Sequence, residues 1–503
     1  MTSTFFGLEI ARRGLQAQQR ALDVTGHNVS NANTPGYTRQ EAVMATTPPY
    51  PVPGLSVPAG AGQVGSGVEI SEIRRLRDGF LDLQYRGENN ALGYWEARWD
   101  AIQKVETILN EPSDSGLSKV FEQFWQSLED LSKNPESPAA RSTVLERGKA
   151  LAETFNYLDR QLQALQKDLD RTIQVKVDEV NSFARQIADL NRQIQKIEVA
   201  GQRANDLRDK RDLLLDQLSK DINIQVREDA NGMVQVGIGG RLLVEGDRVD
   251  ELIAKDSNGD GFSEVLWEAD PKDGVQVTGG TIRGLIDMRG YLDEAGRPAG
   301  LVPKIRSVLD NMAKTLVQVF NHGITINNQK VKNGHVDGCG LDGSTGNTNL
   351  FFKEEVNINN AGNIAIADGV LNDLNKIAAA KNYGNSDTPI YDKGDGSNAL
   401  ELAQLLKQEK ISDLGNATFE GYYQAAIGEL GVQGQQAKRM AENQQLLVSQ
   451  LDSNRQEVSG VSLDEEMVNM IRFQHAYAAA ARVITALDEM LDLIIGRMGL
   501  VGR

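Results

Sequence analysis

The chain has 503 residues, 53 basic and 70 acidic, for a formal charge of −17; at roughly 150 residues per domain that suggests about three or four domains. An acidic surface of this size repels phosphate backbones and anionic headgroups, which excludes a general nucleic-acid or membrane-surface binder. A lone cysteine, Cys339, and four scattered histidines exclude disulfide stapling and a clustered zinc site, and 40% apolar residues exclude disorder throughout.

Residues 3 to about 31 read as an amphipathic helix, with Leu8, Leu15, Leu22 and Val29 at sevens and Ala11, Ala21 and Val24 widening the stripe. The opening segment lacks the unbroken apolar run of a secretory signal. No stretch of the chain approaches the roughly 18 apolar residues of a membrane helix. The helix ends in Asn33-Thr34-Pro35-Gly36-Tyr37, where Pro presets φ and Gly tolerates φ > 0, so a type II turn is expected. Five prolines between Pro48 and Pro58, then glycines at 60, 62, 65 and 67, suit an extended linker.

From Phe155 to Ile197 apolar residues recur at spacings of three and four (Leu158, Leu162, Leu165, Leu169, Ile173 and onward), a rod of roughly 60 Å at ~1.5 Å per residue. Such a narrow seam suits a coiled coil or a bundle of long antiparallel helices. Residues 200–220 continue helically, with Asp206/Lys210 and Arg208/Asp212 at the spacing of surface ion pairs. The period then switches: Ile222, Ile224 and Val226 alternate, Asn231-Gly232 supplies a hairpin turn, and Val234, Val236 and Ile238 alternate again, opening a β insert over 221–280. Helical spacing returns from Ile282 to Phe320. Residues 326–398, rich in Gly, Asn and Asp, read as a second insert of strands and loops, and 399–458 as helix weakened by Gly428, Gly431 and Gly434. The last segment mirrors the first, with Leu463, Met467, Met470, Tyr477, Ala481, Ile484, Leu491, Ile495 and Met498 on one stripe. The two ends carry opposite net charge, +2 over residues 1–40 and −2 over 461–503.

Chemistry-bearing motifs are sparse. Asp256, Asn258, Asp260 and Gly261 resemble the first half of a calcium loop, but Trp267 stands where the bidentate ligand belongs, so a polar turn is expected. Asp392, Gly394, Asp395 and Gly396 are weaker still. Cys339 with His335 four residues earlier is read as part of a mobile glycine-rich loop rather than a nucleophile and base. His475, beside Phe473 and Tyr477, is read as an interface side chain rather than a pH sensor. No catalytic group, cofactor or metal is expected. The fold class is α+β multidomain: a long-helix bundle built from both chain ends, with amphipathic terminal helices and inserted mainly-β domains.

The run Asn28-Val29-Ser30-Asn31-Ala32-Asn33-Thr34-Pro35-Gly36-Tyr37, with Leu8, Ala17 and Leu22, resembles the amino-terminal signature of bacterial flagellar rod, hook and hook-associated proteins. Gly67-Val68, Ile73, Arg74, Asp78, Phe80, Leu81, Gln84 and Arg86 are similar to the hook-associated branch at the hook–filament junction. So are Asn205-Asp206-Leu207, Arg211-Asp212, Gly279-Gly280, Gly284-Leu285, Arg289 and Phe320-Asn321, and the block from Ser459 through Glu466 to Leu491. The resemblance covers roughly 1–225, 279–325 and 400–503, and neither insert.

It implies a non-enzymatic axial subunit, outside the cell at the hook–filament junction, exported by the flagellar type III apparatus. Implied partners are further copies of itself, the hook protein, a second junction protein or filament proteins, and an export chaperone at the carboxyl end. The expected division is terminal assembly helices (1–60 and 460–503), a helical body (61–220, 281–325 and 399–459) and inserts at 221–280 and 326–398. The expected assembly surface is Leu8, Leu15, Leu22 and Val29 with Leu463, Met467, Met470, Tyr477, Ala481, Ile484, Leu491 and Ile495, next to the Asn33–Tyr37 turn. Both ends would gain order as they pair and pack on assembly. The alternatives are another axial protein of hook or rod type, or a secreted adhesin or hydrolase on a helical display stalk.

Overall fold

A computed structural model describes residues 5–49, 64–229, 231–293, 295–326, 329–347, 349–354, 360–384 and 389–497, without the side chains of 326, 329 and 494–497. Most of the Pro/Gly linker, residues 50–63, therefore lies outside the described residues, as does Met498. The chain opens with helix α1 (Phe6–Ser30) and an antiparallel hairpin, β1 (Gln40–Thr46) with β2 (Val68–Arg75), laid against it. The Asp78 carboxylate accepts from the Phe80 amide to start α2 (Gly79–Leu109), and α3 (Leu117–Lys133) follows.

Ser137 caps α4 (Pro138–Glu198) by accepting from the Ala140 amide, with Pro138 preset for the first turn. At 61 residues α4 is about 90 Å long. It starts 17 residues before the seam that marks it in the sequence, because Val144, Leu145, Leu151 and Ala152 belong to the same buried face. The expected partner is different too. Among the described residues no second long helix runs the length of α4; instead α3, the following helices and the β elements pack along it in succession.

Helix α5 (Asn205–Asp221) leads into the four-stranded antiparallel sheet β3 (Gln225–Glu228), β4 (Val234–Ile238), β5 (Arg241–Glu245), β6 (Arg248–Val249), then the hairpin β7 (Leu252–Lys255) with β8 (Glu264–Trp267). Val234, Val236 and Ile238 are buried as their alternation requires. Asn191 and Asn181 of α4 moor this insert to the rod. Each donates to a strand carbonyl (Val234 O and Leu252 O) and accepts from the same residue's amide.

The helical spacing from Ile282 to Phe320 is interrupted. Helix α6 (Gly280–Arg289) stops at Gly290, a short hairpin β9 (Tyr291–Leu292) with β10 (Pro298–Ala299) intervenes, and α7 (Leu301–His322) starts after Gly300. Gly290 and Gly300 both have φ above +100°, and a Cβ on Gly300 would sit 2.7 Å from the Gly290 Cα, so only glycine closes this corner.

The stretch after α7 has short elements: β11 (Ile324–Ile326), β12 (Gln329–Lys332), β13 (Gly338–Cys339), α8 (Asp368–Asn372) and β14 (Ala380–Lys381). Its own core is the body's core. Phe351 and Phe352 are fully buried against Phe124 of α3 and Phe320 of α7, with ring centroids 4.9 to 6.0 Å apart. Arg141 of α4 holds it by donating to the Pro135, Leu374 and Ile377 carbonyls.

Helices α9 (Ser397–Gln408), α10 (Phe419–Ser459) and α11 (Leu463–Arg497) complete the chain. The α10 glycines differ in use: Gly428 and Gly431 face open space, whereas a Cβ on Gly434 would press on Ile102 and Glu106 at 3.0 to 3.1 Å, so Gly434 lets α10 lie close along α2.

His335 is completely buried, its Nδ1 donating to Asn349 O and its Nε2 accepting from the Ala378 amide. Burial pushes its pKa down to about 4. A depressed base loses stability where only the unfolded chain binds the proton. Its contribution is therefore intact above the unfolded value near 6.5 and is lost as pH falls toward 4, by about 3 kcal/mol in all. Denaturant titrations at pH 7.5 and 4.5 should show this slope, and His335→Gln should flatten it while costing about 1–2 kcal/mol at neutral pH.

Candidate assembly interface

Helices α1 and α11 pack against each other antiparallel. A Cβ on Gly7 would touch the Leu487 methyls at 3.4 Å, and Asn28 meets Glu466 at 3.1 Å, so 21 residues of one helix match 21 of the other, three heptads in register. On α11 the half-buried positions include Met470, Phe473, Tyr477, Ala480, Ile484, Leu487 and Leu491, at alternating steps of three and four, with Asn469, Ala476 and Ala481 beside them. On α1 the fully buried side chains are small: Ala11, Ala17, Ala21, Thr25 and Asn28. They sit under the hairpin and α11, where Arg13 reaches Ser66 O and Gln18 approaches the Met44 sulfur.

The sequence-marked residues divide accordingly. Leu8, Leu15, Leu22 and Val29 are half-buried, as are Met470, Tyr477, Ala481, Ile484 and Leu491. Leu463 and Met467 lie on the outer face at 52% and 58% exposure, with Val468, Ile471, Met490 and Leu493. The Ile495 side chain lies outside the described residues.

At the body end of this pair the two signature stretches meet. Asn28 donates to Glu466 Oε2 and to Gln40 O, and its Oδ1 accepts from the Tyr37 hydroxyl at 2.8 Å and the Gln40 amide at 3.0 Å. Arg39 spans Glu465 (2.6 Å) and Glu466 (2.8 Å), and its amide donates to Ser459 O. Ser462 begins α11 by accepting from the Glu466 amide through its carbonyl. Glu466 is 2% exposed, so its charge relies wholly on this latch. Burial, with Asp206, Asp209 and Glu466 nearby, pushes the Tyr37 phenol up and keeps it a donor.

The turn is the expected type: the Tyr37 amide donates to Thr34 O at 3.1 Å and Gly36 has φ +77°. Gly36 packs against Leu213 of α5, while Asn33, Thr34 and Pro35 are exposed beside a cleft of about 940 Å³ between the turn and the end of α10.

Beneath the latch lies a charged collar that the sequence spacing misassigns. Asp212 and Arg208 are not an exposed helical pair, because α5 is enclosed by α2, α4 and the hairpin base. Arg208 turns to Glu198 (2.6 Å) and Glu228 (2.7 Å). Asp206 accepts from Gln40 and faces His27. Arg75 bridges Asp209 and Asp212 at 2.8 Å each, Arg77 grips Asp82 and reaches Asp212, Arg86 binds Asp216, and Arg455 of α10 joins Asp82 to Asp216. Burial opposes ionisation of Asp212, but Arg77, Arg75 and Arg86 hold its pKa at about 2. Only the identity of the residues, all arginine and aspartate in the similar stretches, could have signalled this; partners some 130 residues apart leave no periodicity.

The other candidates resolve locally. Asp256 accepts from the Gly259 and Gly261 amides, Asp260 from Phe262, and Glu264 from Ser257 and Asn258, so this loop spends its carboxylates on its own turn. Asp395 likewise accepts from Ser397 and the Lys381 amide. Among the described residues no three His, Cys, Asp or Glu side chains gather as a metal would need. Cys339 is not in a mobile loop: it pairs with Ala380 in a strand, is 1% exposed, and burial pushes its thiol up. His335 has both ring nitrogens occupied and cannot serve it as a base. His475 is exposed on α11.

Comparison with known proteins gives the context. Residues 102–351 match the family described as flagellar hook-associated protein FlgK helical domain, 452–497 that of the flagellar basal body rod FlgEFG protein C-terminal region, and 8–38 that of flagella basal body rod protein. Flagellar hook-associated protein 1 of Bacillus subtilis is 39% identical over the full length of both chains. Its namesake from Salmonella typhimurium is 27% identical over 96% of this chain and 98% of that one. The solved structure of the flagellar hook junction protein FlgK from Burkholderia pseudomallei shares the fold, with a TM-score of 0.55 at 17% identity, over 74% of this chain and all of that one.

Terminal helices latched to each other over a helical rod, in a chain with these likenesses, define a structural axial component of the bacterial flagellum. The chain belongs to the flagellar hook-associated protein 1 family, and its place is the flagellum.

Two outcomes follow from the geometry. Glu466→Ala leaves Arg39 and Asn28 without their buried partner and should cost about 3 kcal/mol. Hydrogen exchange should show the loss in α1 and α11, with α2 and α4 still protected. A chelator should leave the melting temperature unchanged; a fall that calcium restores would mean a native-state site at 256–264.

Proposed function

We propose that the chain is the hook–filament junction subunit, assembling on the hook protein and providing the platform on which filament assembly starts. The observation that carries this reading is the meeting of Asn28, Tyr37 and Arg39 with Ser459 and Glu466: both chain ends converge on one latch and project one helix pair from the body. Its role is structural and not enzymatic. Further copies of the chain, and a second junction protein or filament proteins, are its partners. The subunit leaves the cell through the flagellar type III apparatus, and a chaperone shields the apolar carboxyl-terminal helix until then.

The assembly surface is the terminal helix pair. Residues 1–60 and 460–503 form the assembly unit; 61–220, 281–325 and 399–459 the body; and 221–280 and 326–398 the inserts. Leu463 and Met467, exposed on α11, face neighbours in this scheme, while Leu8, Leu15, Leu22, Val29, Met470, Tyr477, Ala481, Ile484 and Leu491 form the seam and its margins, and Ile495 is assigned to the same surface from its place in the sequence stripe. Each large side chain that assembly buries contributes about 1.5–3 kcal/mol.

Leu491→Asp places a charge in the α1–α11 seam and costs several kcal/mol without a partner. The variant, or removal of 484–503, should be soluble and exported, because the body's core is remote from the seam. Cells carrying it should bear hooks without filaments and release flagellin into the medium. Full-length filaments on such cells, seen by electron microscopy, would end this assignment of the assembly element.

A further inference from the structure

The contiguous apolar core of the described residues runs from Ala97 of α2 to Ala437 of α10 and stops there. Ala11, Ala17 and Ala21 are buried, yet outside it. The unit made of α1, the β1–β2 hairpin and α11 therefore stands on the body without sharing its core. Apart from Gly36 against Leu213, the contacts named between them are polar and directional. Arg75, the last residue of β2, donates to Asp209 and Asp212 of α5, and Arg77 reaches Asp212 while also contacting the Thr38 hydroxyl. The Thr38 amide donates to Asp209, Gln40 to Asp206, and Asn205 to Ile73 O. On the body side, Arg86 and Arg455 fasten Asp216, and Arg455 also reaches Asp82 and stacks on Tyr85 at 4.3 Å, so the carboxylates that receive Arg75 and Arg77 sit on a framework that is itself braced.

An apolar contact would tolerate sliding, because burial depends on area and not on direction. Guanidinium–carboxylate pairs do not, since their hydrogen bonds fail within a few tenths of an ångström and a few tens of degrees. Buried pairs also add little net stability over an apolar substitute, while breaking one strands a charge. Geometry, and not strength, is what such a contact can fix. We propose that the collar is an angular lock: Arg75 and Arg77 are pins, Asp209 and Asp212 their seat, and together they hold the terminal helix pair at one orientation to the body. A junction subunit has to present its ends at a defined angle to a lattice, and this is where that angle is set.

The test uses the full chain with spin labels on cysteines replacing Gln19 of α1 and Gln103 of α2, both exposed; the native Cys339 is buried and escapes labelling. Pulsed electron paramagnetic resonance of the parent should return one narrow distance. Arg75 serves both carboxylates through its one Nη1. Asp209→Asn with Asp212→Asn, and separately Arg75→Met, which keeps the length of the side chain but removes that donor, should lose the single distance to a broad distribution, while hydrogen exchange in α2, α4 and α10 stays as in the parent. A parental distance in Arg75→Met and in the Asn pair overturns the lock. So does broadening that comes only with loss of protection in the body, which would make the collar a fold element. If the Asn pair does not fold, Arg75→Met decides alone.

Discussion

The joining of the two chain ends depends on one buried carboxylate. Glu466, 2% exposed, meets the Asn28 amide and the Arg39 guanidinium, and these lie more than 400 residues away in the chain. Closing a loop of that length in an unfolded chain costs roughly 5 kcal/mol in its length-dependent part alone, more than a latch of this kind returns net. The latch therefore cannot nucleate the fold. The pairing of α2 and α10 through Gly434, Trp99, Lys438, Tyr85 and Arg455 brings residue 459 to the base of the hairpin, so the latch joins ends that the body already holds near each other. The body builds the place where the ends meet, and the ends add the surface that leaves it.

That order makes sense of α4. A 61-residue helix with a narrow apolar seam would leave that whole seam in water if it stood alone, and tertiary packing of the apolar face is where most helical stability comes from. It becomes the spine on which α3, the aromatic cluster around Phe124 and Phe351, α7, the β insert and α5 are laid in sequence. The inserts are anchored by side chains that satisfy strand and loop backbone: Asn181 and Asn191 for one, Arg141 for the other. Each is a buried polar group with its partners made, which fixes position where an apolar face would let the insert slide.

Much of this was legible in the residues, for physical reasons. The seam of α4, the switch to period two at Ile222, the Asn231-Gly232 turn and the type II turn at Pro35-Gly36 are local devices, and local devices leave periodic or compositional marks. Where the reading failed, the cause lay elsewhere in the chain. Ile282 to Phe320 keeps a helical period across Gly290 and Gly300, whose contact with each other no window of sequence displays. Leu463 and Met467, marked for the assembly surface, are a different case: the heptad that faces α1 starts at Glu466 and runs through Met470, Phe473 and Tyr477, so these two are left exposed, as the proposed contact with neighbouring subunits requires. Arg208 and Asp212 looked like surface partners because i,i+4 spacing says nothing about what encloses a helix. Cys339 looked mobile because glycines flank it, although Gly338 and Gly340 are small to let Asn398, Ala380 and Asn375 approach.

The two faces of α11 follow from the same geometry. Facing α1, the seam meets alanine and glycine: Gly7 against Leu487, with Ala11, Ala17 and Ala21 buried along the same helix. Small residues on one side and large ones on the other bring the helix axes close and bury α1 more deeply than α11. The large side chains that do not fit this groove, Met467, Val468, Ile471, Met490 and Leu493, remain outward. An isolated globule has no use for such a row, since each exposed side chain forgoes its transfer free energy. A subunit does, because the intramolecular seam sets the rotation of α11 about its axis and thereby decides which row is offered. On the proposed function, pairing within the chain is thus the step that would orient the surface for pairing between chains. The collar beneath fixes the angle at which the helix pair leaves the body, so rotation and tilt are set by separate contacts of different chemistry: apolar and small for one, ionic and directional for the other.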